Sequence, residues 1–127
     1  MCKACEDDIK PHLGKRKLKN DFYVYSFFGY NEIAPLLHTK HHHCGAYIYK
    51  ILAKKAFGRF LDELDLPFLN IIPIDDRTKG AYSHTAVLAN AIKSKKIKPH
   101  YGSLRARNRV SYSGKSLRYR KANPRDF

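Results

Sequence analysis

No apolar run in this chain approaches the roughly 18 residues that a membrane-spanning helix requires, so insertion into a bilayer is not expected. Met1 is followed at once by Cys2 and Lys3 rather than by the apolar core of a secretory signal, and the expected location is cytoplasmic. Cysteines are few. Cys2, Cys5 and Cys44 form no even disulfide framework, and a cytosolic C-x-x-C is more often a metal or redox element than a bridge. A second C-x-x-C is missing, whereas structural zinc takes four N or S ligands. The last scarcity is of acid. Residues 77 to 127 hold 14 Lys or Arg against the single Asp126, a balance of +13, while residues 1 to 76 hold 11 against 10, a balance of +1. Each phosphate neutralised by such a field releases counterions, which favours a polyanion partner; a plain soluble surface or the lip of a site for a small phosphorylated substrate is the alternative.

Several catalytic signatures are excluded on spacing. Gly114, Lys115 and Ser116 spell the end of a P-loop, but the upstream glycine falls at Arg109 and no strand leads into a Gly-rich turn. Asp75 and Asp76 look like an acid pair, yet neighbours on a turn diverge. No Ser/His/Asp order stands out.

What is present is the material of one α/β domain in 127 residues. Its organising stretch runs from Asn70 to Asn90: a β-branched strand to Ile74, a polar turn from Asp75 to Ala81, and a helix over residues 83–94 with Ser83 as N-cap. In a βαβ unit the ligand sits at the carboxyl end of the strand, which marks that turn. Upstream, Cys2 to Asn20 reads as an appendage and residues 21–29 as a strand whose aromatics pack on the core. A helix follows with Asn31 as cap and Pro35 in its first turn or so. His38, His41, His42, His43 and Cys44 form an eye-catching cluster, but consecutive side chains on a helix point some 100° apart and read as solvated rather than ligating. Gly45 to Leu64 is a longer helix striped by Ile48, Leu52, Ala56, Phe60 and Leu64, weakened and open to a break at Gly58. SKKIKPHYG reads as a basic loop. Beyond it, arginines interleave with Tyr101, Tyr112, Tyr119 and Phe127, a pattern that fits single-stranded nucleic acid, or tyrosines that anchor a basic flap.

Four pieces in order carry a resemblance. The aromatic strand, helix and lysine from Tyr25 to Lys40, IIPI at residues 71–74, YSHTAVLA at 82–89, and Leu117, Arg120, Asn123 and Phe127 resemble motifs of the ComF family, phosphoribosyltransferase-like competence proteins of bacterial DNA uptake. Cys2 and Cys5 resemble the second half of that family's N-terminal zinc ribbon. There are departures: Ser83 and His84 stand for Asn and Gln, Lys79 and Gly80 only approximate Arg and Gly, and Gly114 stands where a glutamine is expected. The family's acidic D-D-x-x-T-T-G-x-T loop, which binds phosphoribosyl pyrophosphate, falls after the last residue here.

The resemblance implies a partial type I phosphoribosyltransferase-like, Rossmann-like α/β fold over residues 21–127 with a zinc-ribbon remnant over residues 1–20. The chain would then be an N-terminal fragment, inactive as an enzyme, although the whole polypeptide would use phosphoribosyl pyrophosphate (PRPP) and Mg2+. Asp75, Asp76, Arg77, Lys79, Tyr82, Ser83 and His84 would form one pocket wall. Lys40, Arg105, Arg107, Arg109, Lys115, Arg118 and Arg120 would contact the phosphates of single-stranded DNA, and Cys2 and Cys5 would be half a Zn2+ site. Competence-machinery proteins are further expected partners; a basic nucleic-acid-binding module unrelated to competence is the alternative.

Overall fold

The computed structural model describes residues 1–75, 82–107, 110, 112, 114–124 and 126, with His41 and Asp75 described through their backbone alone. The chain is mixed α/β. In order come α1 (Lys3–Asp7), β1 (Gly14–Lys17), β2 (Tyr23–Ser26), α2 (Tyr30–His38), α3 (Gly45–Glu63), β3 (Leu69–Ile71), β4 (Ile74–Asp75), α4 (His84–Ala91), β5 (Ile97–Pro99), β6 (Leu104–Arg105) and α5 (Leu117–Ala122). No helix among the described residues is long and apolar enough to cross a membrane.

The core is organised on α3. One side of that helix meets α4, where Tyr49, Leu52, Ala53 and Ala56 are buried together with Ala89. Its other side carries the β1–β2 hairpin through an aromatic cluster: Tyr25 lies 4.7 Å from Phe60, and Phe27 lies 5.0 Å from Phe57 and 5.2 Å from Phe60. These centroid spacings are in the range of favourable edge-to-face contacts. Gly58 does not interrupt α3, because the hairpin and α4 hold the helix on both sides of it.

Gly45 is where α3 enters this packing. A Cβ there would strike the Thr39 carbonyl oxygen and the Tyr82 hydroxyl, whereas one at Gly58 meets nothing within 4 Å. Gly45→Ala is therefore expected to cost about 1–3 kcal/mol, and Gly58→Ala to stabilise by up to about 1 kcal/mol through helix propensity. Urea unfolding of the two variants side by side checks the contrast; equal effects would contradict the packing.

The hairpin pairs Gly14 with Ser26, Lys15 with Tyr25, Arg16 with Val24 and Lys17 with Tyr23. Its turn uses Asn20 and Asp21 at φ of 59° and 57°, the left-handed region these two residues tolerate best after glycine. This ladder joins residues on either side of the division expected at residue 20.

The strand expected over residues 70–74 is two strands. β3 pairs parallel with β5 in the register Leu69↔Ile97 to Ile71↔Pro99, and β4 pairs parallel with β6 as Ile74↔Leu104 and Asp75↔Arg105. The offset between partners grows from 28 to 30 residues, so the second strand carries two extra residues between ladders. The break has a local cause. Pro73 has no N–H to donate to a ladder, and opposite it Gly102, at φ 69°, turns the chain. The segment read as a basic loop contributes β5, held by Leu69 N donating to Lys96 O and His100 N donating to Ile71 O, both at 2.8 Å.

The remaining elements start where their caps dictate. Ser83 Oγ accepts from Ala86 N at 3.2 Å and starts α4. The first turn of α2 is closed by Gly29 N donating to Glu32 Oε2 at 2.9 Å, so the cap is Gly29 rather than Asn31. Pro35 falls in its second turn, further in than expected.

Candidate nucleic-acid interface and pocket wall

Two groups of candidate residues are brought together, and they meet at one strand end. The β4–β6 register sets the Asp75 backbone beside Arg105, so the carboxyl end of β4 adjoins the start of the basic segment. Past Arg105, Ala106 is buried at 4% exposure while Arg107 is exposed. The Arg107 backbone N–H donates to the Asp126 carbonyl at 2.6 Å, which ties the end of the chain to β6.

α5 is set by Gly114, whose φ of 69° turns the chain, and by Ser116, whose Oγ accepts from Tyr119 N at 3.2 Å. Tyr112 anchors it by donating its hydroxyl to the Asn123 carbonyl at 2.6 Å. Lys115, Arg118 and Arg120 are all exposed, but not on one face. At 100° per residue Arg118 groups with Lys121, whereas Arg120 turns back so that its Nε donates to the Lys115 carbonyl at 3.1 Å. Lys115 Nζ stands 5.3 Å over the Tyr119 ring. Tyr112 thus serves as an anchor, while Tyr101 and Tyr119 expose rings that a base could stack on. Arg109 and Phe127 lie outside the described residues.

The ion pairs among the described residues, Lys17–Asp21, Lys55–Asp7 and Arg59–Glu63, fall within residues 7–63. With Asp126 the sole acid beyond residue 76, the basic half has little means of internal neutralisation.

On the expected pocket wall, Asp76, Arg77 and Lys79 lie outside the described residues, as does the Asp75 side chain. Tyr82 and His84 meet α3 and the turn before it, while Ser83 caps α4. The Tyr82 hydroxyl donates to the His42 carbonyl at 3.2 Å, the His84 ring meets Tyr49 edge-on at 5.6 Å, and the Tyr49 hydroxyl donates to the Leu37 carbonyl at 3.0 Å. Lys40, exposed in the turn before His42, belongs to this corner. Tyr82 and His84 are thus engaged within the fold. The shallow pocket between the end of α3 and β5, lined by Leu61, Leu64, Leu69, Lys96 and Ile97, lies at the amino ends of the parallel strands, opposite to the usual ligand side.

Burial, and next the neighbouring Tyr82, push the Tyr49 phenol above its ordinary value of 10.0. Because the folded-state pKa is the higher, Tyr49 adds stability that is fully present below about pH 10 and is lost as pH rises through the folded value. Burial, and next the neighbouring Cys44, push the Tyr82 phenol up as well, so alkaline titration followed at the tyrosinate absorbance should show late phenols of which Tyr49→Phe removes one, and that variant should flatten the loss of stability above pH 10. An unchanged slope in that variant would contradict the assignment.

Cys2 and Cys5 are exposed, with their sulfurs 3.1 Å apart, and Cys5 N donates to Cys2 Sγ at 3.4 Å. That backbone donor, then the Cys5 thiol, hold the Cys2 thiol below 9.0, while hydrogen bonding to Cys2 and its charge push Cys5 up. Among the described residues no group of three or more His, Cys, Asp and Glu could hold a metal ion. Two thiolates alone do not complete the four-ligand set of a structural Zn2+. His38, His42 and His43 are exposed, as expected of solvated side chains; the His41 side chain lies outside the described residues.

Sequence reasoning missed the hairpin. It carries Lys15, Arg16 and Lys17, with Lys15 Nζ 4.5 Å from the Tyr23 ring centroid, and it exposes Phe22 at 71%. The available signal was Asn20-Asp21 between two extended runs. No protein-family model matches the chain, and no curated protein matches it either.

Proposed function

We propose that the chain binds single-stranded nucleic acid through its basic C-terminal half, with Arg105, Arg107, Arg109, Lys115, Arg118 and Arg120 contacting phosphates. The observation that carries the reading is the imbalance of 14 basic residues against one acid beyond residue 76. The exposure of Arg105, Lys115, Arg118 and Arg120 beside the rings of Tyr101 and Tyr119 supports it, since cations that follow a backbone and rings that stack on bases are the two parts of a sequence-tolerant single-strand site.

In its finer form, the strand is incoming DNA in transformation, and the chain is a ComF-like protein with a phosphoribosyltransferase-like frame, competence-machinery partners and a cytoplasmic location. The four motifs in chain order support that form, as do the parallel β3–β5 and β4–β6 ladders on either side of α4. A basic module unrelated to competence would share the binding but not the biological setting. Fluorescence anisotropy with a short labelled single strand, alone and against an equal charge of polyglutamate, tests the proposal. Saturable binding at low salt that polyglutamate displaces poorly is expected; no binding, or equal displacement, would overturn it.

A further inference from the structure

The pair of sulfurs at the start of α1 is an exposed, closely spaced nucleophilic arrangement. Cys2 and Cys5 are separated by two residues, both are exposed, and their sulfurs are already in contact at 3.1 Å. A disulfide needs about 2.05 Å, so closure requires a movement of about 1 Å. Two thiolates on a tetrahedral zinc at 2.3 Å would instead stand about 3.8 Å apart. The observed spacing is therefore tighter than the bite of a metal and lies on the path to a bond. Nothing encloses the pair, and a small molecule can reach both sulfurs.

We propose that Cys2 and Cys5 form a thiol–disulfide exchange site whose co-reactant is a low-molecular-weight disulfide of the glutathione class. Cys2 attacks, because its sulfur receives the Cys5 backbone N–H, which stabilises the thiolate. The thiolate displaces one sulfur of the glutathione disulfide, forming a mixed disulfide at Cys2 and releasing one glutathione. Cys5, losing its proton to solvent, then attacks Cys2 Sγ, closes the Cys2–Cys5 bond and releases the second glutathione. In sum, one glutathione disulfide is reduced to two glutathiones while two protein thiols are oxidised to one disulfide. The same path runs in reverse with excess thiol. Closure fixes the first turn of α1, whose Asp7 reaches Lys55 of α3 at 3.8 Å, so the redox state bears on how this segment lies against the core.

The experiment uses the full chain, equilibrated in buffers of graded glutathione and glutathione disulfide, acid-quenched, alkylated and digested with trypsin. Trypsin cuts after Lys3, between the two cysteines, and next after Lys15, since Pro11 protects the bond at Lys10, so the internal bond reads directly as peptide 1–3 linked to peptide 4–15. That linked pair is expected to dominate on the oxidising side and to vanish with excess reduced glutathione. Cys5→Ser should instead accumulate a glutathione adduct at Cys2, at least tenfold over the adduct formed at Cys5 in Cys2→Ser. Adducts on both cysteines of the unsubstituted chain, a bond between two chains, or thiols that become alkylatable only after a chelator is added would each overturn the proposal. The readout does not involve nucleic acid, so it stands or falls apart from the binding function.

Discussion

Affinity for a single-stranded oligonucleotide is expected to fall about 300-fold when salt rises from about 50 to 200 mM. Each phosphate contact releases condensed counterions, and for single strands the logarithmic slope is about −0.7 per contact. Six contacts, from Arg105, Arg107, Arg109, Lys115, Arg118 and Arg120, give a slope near −4. A fourfold rise in salt then costs about 3.5 kcal/mol of binding free energy. An anisotropy titration at four salt concentrations measures the slope. A slope near zero would mean that stacking or hydrogen bonding, and not the basic half, carries binding. A much steeper slope would bring in cations such as those of the β1–β2 hairpin.

Leu52→Ala is expected to have the largest effect on the fold. Among the described residues, four of the seven buried apolar ones, Ala53, Ala56, Ala89 and Ala106, are alanines, which bury little area. The α3–α4 seam therefore leans on Leu52, Ile51 and the ring of Tyr49. Removing a buried leucine costs about 2–5 kcal/mol through lost transfer energy and a residual cavity, against a total of about 5–15 kcal/mol for a domain. The total here belongs at the lower end. The accessible surface is 9777 Å², where a closed monomer of this mass exposes about 7000 Å². The melting temperature should drop by roughly 10 °C. A drop under about 2 °C would show that the core lies elsewhere.

Much of the fold follows from local signals that can be read in sequence. Ser83 starts α4 because a serine oxygen can take an orphan N–H, and Leu52 and Ala56 of the four-residue stripe are buried on α3, joined by Tyr49 and Ala53 from beside it. What was not legible depends on tertiary context. Asn70 to Asn90 looked like the organising stretch because its motif is dense, yet the buried side chains gather on α3, whose two sides are both covered. Pro73 falls within an apolar, β-branched run that suggests one strand, although a residue without an N–H marks a break, and the two extra residues opposite it become visible only in the register. Residues 14–17 resemble an appendage because Lys15, Arg16 and Lys17 hide the alternation of a strand; the partner strand, and not its own composition, makes β1.

The candidate site divides in the same way. The charge imbalance could be counted directly. The opposite facing of Arg118 and Arg120, the anchoring of Tyr112 and the exposure of Tyr119 required the cap at Ser116 and the tie to Asn123. The resemblance places Ser83 and His84 on a pocket wall; the structure adds that Ser83 caps α4 and that the His84 ring meets Tyr49 of α3.

The most direct test sets two charge reversals against each other in one binding assay. One variant carries Lys115→Glu, Arg118→Glu and Arg120→Glu on and beside α5; the other carries Lys15→Glu, Arg16→Glu and Lys17→Glu on the hairpin, an equal change in net charge. Binding through the C-terminal half predicts that the first loses at least tenfold more single-strand affinity than the second at matched salt. Equal losses would mean that net charge alone attracts the strand, and a larger loss in the hairpin variant would move the binding surface to β1 and β2.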